Sequence, residues 1–89
     1  MSTTVIIVAF KSEKKIYHNL DKFNTSTKIL IIENSENFTM KNRIEKKYKN
    51  VDVIINKNQG YSQAVNLGAR YAKSKYLFFC TPDNFIKKN

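Results

Sequence analysis

Carboxylates are scarce in this 89-residue chain: seven Asp and Glu stand against sixteen Lys and Arg, for a formal charge of +9. The lysines are spread over the whole length instead of forming one block. That reads either as a solvated surface or as attraction to anions: nucleotide diphosphates, lipid head groups or nucleic acid. Cysteine occurs once, at Cys80, so no internal disulfide can form and no ligand set at zinc spacing exists. A reducing compartment fits. Histidine also occurs once, and His18 falls in a helical pattern as a surface or boundary residue. Long apolar runs are missing. The first run, residues 5–10, is far too short to span a membrane and no basic residue precedes it, so the expected location is the cytoplasm. There is no Walker loop and no G-x-G-x-x-G, and the aromatics do not form the paired strand motifs of an RNA-recognition sheet. With only two Gly and one Pro, each of these residues is expected to mark a specific place in the fold.

Hydrophobic content of 42% is enough for a packed core, and the length allows one small domain at most. Four apolar runs stand out: TVIIVAF at 4–10, KILIIE at 28–33, VDVII at 51–55 and YLFFC at 76–80. They are continuous instead of alternating, which predicts strands of a parallel sheet covered on both faces. Helical patterns lie between them. After Ser12 as the expected N-cap, Ile16, Leu20 and Phe23 recur at i, i+4, i+7, and Met40, Ile44 and Tyr48 form a second stripe. The third pattern, about 61–73, puts Ala64, Gly68 and Ala72 one above another, a small-residue stripe that lets a helix lie close to a sheet. The predicted fold is α/β, a Rossmann-like parallel sheet β-α-β-α-β-α-β with right-handed crossovers and strand order 3-2-1-4. The reversal of winding beside the first strand makes a crevice at the strand carboxyl ends, where residues 10–12, 33–35 and 81–84 converge.

The polar residues at that crevice are the candidate site. Glu33, followed by Asn34 and Ser35, offers a carboxylate to a ribose hydroxyl or a base N–H; the bland alternative is a helix-entry turn. Asn58 and Gly60 open the third helix, where N–H groups and the helix dipole attract phosphate, or they make only a turn. Asp83 follows Pro82 directly after a buried strand. A single carboxylate is a poor Mg²⁺ site alone, but diphosphate oxygens and water supply the remaining hard ligands.

Taken together these residues resemble the amino-terminal half of a family 2 glycosyltransferase of the GT-A fold, over residues 5–84. VIIVAFKS at 5–12 resembles the family's opening strand and its polar exit, and IIENS at 31–35 its acidic turn. Asn58-x-Gly60 followed by Ala64-x-Asn66-x-Gly68 is similar to the family's N-x-G…A-x-N-x-G helix and is the most specific match. Thr81-Pro82-Asp83 stands where the family carries D-x-D and resembles the N-P-D variant of rhamnosyltransferase-like members. The resemblance implies a transferase using a nucleotide-diphosphate sugar, passing the sugar to a glycan or lipid-linked acceptor. It implies Mg²⁺ or Mn²⁺ on Asp83, the nucleoside on Glu33, and Phe10, Ser12, Asn34, Ser35, Asn58, Gly60 and Asn66 around the donor. Thr81 replaces the first carboxylate of D-x-D, and Glu33 is one methylene longer than the usual Asp.

The sequence stops just past Asp83, ahead of the family's catalytic base and acceptor-binding half. The expectation is therefore a single partial domain over 1–89, a truncated GT-A fold holding the donor, with no catalytic base assigned. The run at 76–80 is expected as an exposed apolar edge, to be covered by a missing acceptor-domain chain or by self-association. The expected location is cytoplasmic, with a peripheral position at the inner membrane face as its variant. The competing reading is a non-catalytic basic α/β module binding nucleic acid or an acidic partner, favoured by the charge and opposed by the dispersed lysines.

Overall fold

The computed structural model describes residues 3–57, 59–72 and 76–80. Four strands and three helices alternate along it. They are β1 (Thr3–Ala9), α1 (Glu13–Leu20), β2 (Lys28–Glu33), α2 (Phe38–Lys47), β3 (Val51–Ile55), α3 (Tyr61–Tyr71) and β4 (Tyr76–Cys80). The sheet is wholly parallel with order β3-β2-β1-β4, as the sequence predicts. No helix of the described residues is long and apolar enough to cross a membrane.

β-branched side chains fit the pleated surface, and here both faces are covered, so six consecutive residues of β1 are buried. Val5, Ile7 and Ala9 point to one face. They meet Ile29 and Ile31 of β2, Val51 and Val53 of β3, Ile16 and Leu20 of α1, and Met40 and Ile44 of α2. Ile6, Val8, Leu30 and Ile32 point to the other face, under Ala64 of α3. The small-residue stripe makes that approach possible: a Cβ on Gly68 would stand 2.7 Å from Ile6 Cγ2. With α1 and α2 on one face and α3 on the other, the sheet is doubly wound.

Two local devices fix the helices. Asn37 caps α2, its Oδ1 accepting from Met40 N–H at 3.0 Å, and donates through Nδ2 to Glu13 Oε1 of α1 at 3.1 Å. Ser12 stands at the expected N-cap position of α1, its carbonyl accepting from Ile16 N–H, while its hydroxyl turns back to Phe10 O at 2.8 Å. At the β3 edge, α2 supplies what a neighbouring strand otherwise would. Lys41 Nζ donates to Val53 O at 2.7 Å and Glu45 Oε2 accepts from Val53 N–H at 2.8 Å, the two side chains also pairing with each other at 2.9 Å. Edge backbone groups at that point are thereby satisfied. β4 forms the opposite end of the sheet among the described residues.

Candidate functional site

At the carboxyl ends of β1 and β2 the chain makes two interlocked turns. The parallel ladder continues past the strands, with Asn34 N–H donating to Ala9 O at 2.7 Å and Asn56 N–H to Glu33 O at 2.9 Å. Lys11 takes a left-handed backbone conformation (φ 52°), which turns its N–H onto Ser35 Oγ at 3.1 Å. The β1 exit is thus tied to the β2 exit.

Glu33 is the centre of this arrangement and only 1% exposed. Its Oε2 accepts from Ser35 N–H at 2.6 Å, from the Ser35 hydroxyl, and from Asn37 N–H at 3.4 Å. Its Oε1 is buried with no hydrogen-bond partner among the described residues. Leaving a carboxylate oxygen buried and unpaired costs roughly 1–3 kcal/mol or more. Such groups are few in natural folds, and each calls for an explanation such as a bound water, an ion or a functional role.

Asn34, 4% exposed, extends the polar cluster sideways. Its Oδ1 accepts from Asn56 Nδ2 at 2.7 Å, and Asn56 Nδ2 also donates to Gln63 Oε1 in the first turn of α3 at 2.8 Å. A polar chain therefore runs from β2 through the end of β3 to the start of α3. Gly60 caps α3 at φ 96°, a conformation that strains any residue with a Cβ. A recess of about 780 Å³ opens beside the turns, lined by Phe10, Lys11, Ser12, Ser35 and Asn37, with Glu13, Lys14 and Lys15 from α1. Phe10 is half-exposed there, with Lys11 Nζ 5.3 Å from its ring centroid. A second hollow of about 650 Å³ lies toward the opposite end of the sheet, beside Thr4, Lys28 and the carboxyl end of α3, away from these polar residues.

Glu13 anchors the α1 side. The Arg43 guanidinium bonded to it holds its carboxyl below the ordinary value, aided by Asn37 and opposed by partial burial. A carboxyl lowered in this way contributes stability above its unfolded range, and that contribution is lost as pH falls through the lowered value.

Of the residues read from the sequence, Phe10, Ser12, Glu33, Asn34 and Ser35 are brought together at one sheet edge. Gly60 stands at the same edge through the Asn56–Gln63 link. Asn66 is exposed on α3, two residues from both Ala64 and Gly68, and so on the side turned from the sheet. Asn58 and Asp83 lie outside the described residues. Among the described residues no group of three or more His, Cys, Asp or Glu is placed to hold a metal ion. Asn37, Asn56 and Gln63 escaped the sequence reading, and Lys11 entered it only as part of the segment 10–12. Asn56 had a signal, a polar residue at the end of an apolar run, in the position Asn34 holds after β2.

No curated protein matches the chain. The model of "Glycosyl transferase family 2" matches residues 4–89, nearly the whole sequence. The doubly wound parallel sheet and the polar turn after its second strand agree with that match, and the chain belongs to glycosyl transferase family 2.

Proposed function

We propose that this chain is the donor-binding half of a glycosyltransferase, holding a nucleotide-diphosphate sugar across the carboxyl edge of the sheet. The sugar then passes to a hydroxyl of a glycan or lipid-linked acceptor in the cytoplasm. One observation supports this most: the buried Glu33, whose Oε2 is saturated by its own turn while Oε1 has no partner. An oxygen held in that state is pre-organised to accept from a ribose hydroxyl or a base N–H, because no protein donor must first be displaced. Phe10, Ser12 and Ser35 line the recess beside this turn, and the buried Asn34 extends the polar cluster toward Asn56. Gly60, at the mouth of α3, suits the diphosphate together with Asn58, two residues before it in the sequence, while Asn66 lies on the side of that helix turned from the sheet.

The family implies a divalent cation. The described residues do not form a site for one by themselves, so we assign it to Asp83, which follows β4 in sequence, with diphosphate oxygens and water as the other ligands. A bound Mg²⁺ or Mn²⁺ neutralises charge developing on the departing diphosphate. No residue of 1–89 is assigned the base that accepts the acceptor's proton. We place that group in an acceptor-binding half docked beside β4, the end strand of the sheet among the described residues.

Isothermal titration with UDP, dTDP and GDP, each with and without Mg²⁺, tests the reading. At least one nucleotide binds, Mg²⁺ tightens it, and Asp83→Ala removes the Mg²⁺ dependence. Equal Mg²⁺-dependent binding by the variant rules out the role given to Asp83, and no binding by any nucleotide rules out the donor site.

A further inference from the structure

The main chain of Asn56 is held on the β2 side without help from its side chain. Asn56 N–H donates to Glu33 O at 2.9 Å, and the next residue, Lys57, forms an isolated antiparallel bridge with Ser35. The carboxamide adds a different link. Its nitrogen carries two donors, and Asn56 Nδ2 donates to Asn34 Oδ1 at 2.7 Å and to Gln63 Oε1 at 2.8 Å. Asn34 is itself fixed, buried with its N–H on Ala9 O. Gln63 stands in the first turn of α3, three residues past Gly60. The ends of the link therefore lie next to the two places assigned to the nucleotide: Asn34 follows Glu33, and Gln63 follows the mouth of α3. Ala64 and Gly68 bring α3 close to the sheet, but apolar packing has no direction of its own. Hydrogen bonds do, and the Asn56 amide fixes where the first turn of α3 stands relative to the exit of β2.

We propose that Asn56 is a positioning residue of the donor site, setting the first turn of α3 against the Glu33 turn so that nucleoside and diphosphate are bound as one unit. It acts through Asn34 and Gln63. Two contacts on one ligand reinforce each other when the protein already holds them at the ligand's own spacing; otherwise part of the binding free energy goes into ordering the protein. A bridge of three side-chain amides across β2, β3 and α3 rigidifies that spacing. The inference rests on the donor-site reading, with the nucleoside at Glu33 and the diphosphate at the mouth of α3.

NMR titration of the full chain with UDP, dTDP and GDP, and with uridine, thymidine and guanosine, measures how much the diphosphate adds to the affinity for each nucleoside. Mg²⁺ is present throughout. Asn56→Ala reduces that increment about tenfold, the scale of one or two neutral hydrogen bonds, and leaves nucleoside affinity within about twofold. Gln63→Ala cuts only the α3 arm, leaves the buried Asn34 bonded to Asn56, and lowers the increment likewise. It carries the test should Asn56→Ala fail to fold, which the amide dispersion of the same spectra shows. The double variant loses no more than Asn56→Ala alone, because both substitutions cut one link. Equal loss of nucleoside and diphosphate affinity would mean that Asn56 only supports the fold, and it would overturn the proposal. No binding of any nucleotide by the unaltered chain overturns the donor-site reading and this inference with it, whereas binding with an unchanged increment in the variants overturns this inference alone.

Discussion

Glu33 and Gly68 show how much a single residue decides in this chain. Glu33 is buried at the carboxyl end of β2, and its turn satisfies only one of its two oxygens. Gly68 lies on the other face, where only a missing side chain lets α3 settle on Ile6 of the central strand β1. Gly68→Ala gains about 1 kcal/mol of helix propensity. Overpacking against a fully buried Ile6 costs about 1–3 kcal/mol. The variant should therefore lose up to about 2 kcal/mol net and melt up to roughly 15 °C lower. A melting temperature at or above that of the unaltered chain would mean that α3 can move off the sheet without cost.

At the scale of elements, the strands were legible because β-branched runs covered on both faces leave a continuous apolar signature. The helices were legible from stripes such as Ile16 with Leu20 and Met40 with Ile44, all of which point into one core. Contacts between elements were not. Lys41 and Glu45 look in the sequence like an ordinary i,i+4 surface pair, worth a few tenths of a kcal/mol. Only once strand order makes β3 an edge can they be seen to close its backbone at Val53. We predict that Lys41→Ala with Glu45→Ala exposes that N–H and C=O to pairing with another chain. Sedimentation velocity should show concentration-dependent self-association beyond that of the unaltered protein. An unchanged distribution would show that the β3 edge needs no such cover.

For the whole molecule, topology converts scattered polar residues into a site. The order 3-2-1-4 brings the exits of β1 and β2 side by side, so Phe10, Ser12, Glu33, Asn34 and Ser35 could be grouped before any coordinates. The Asn34–Asn56–Gln63 chain could not, because it depends on side-chain reach between β2, β3 and α3. Nor could the left-handed turn at Lys11, which local sequence does not demand of a lysine. The central claim is that this sheet edge receives a nucleotide through Glu33, and a ¹⁵N–¹H NMR titration with UDP, dTDP and GDP in the presence of Mg²⁺ tests it most directly. The account predicts shifts concentrated at residues 10–12 and 33–35, and a loss of affinity of about 10- to 100-fold in Glu33→Gln, the worth of one hydrogen bond to a charged group. Shifts elsewhere on the fold, or equal affinity in the variant, would contradict it.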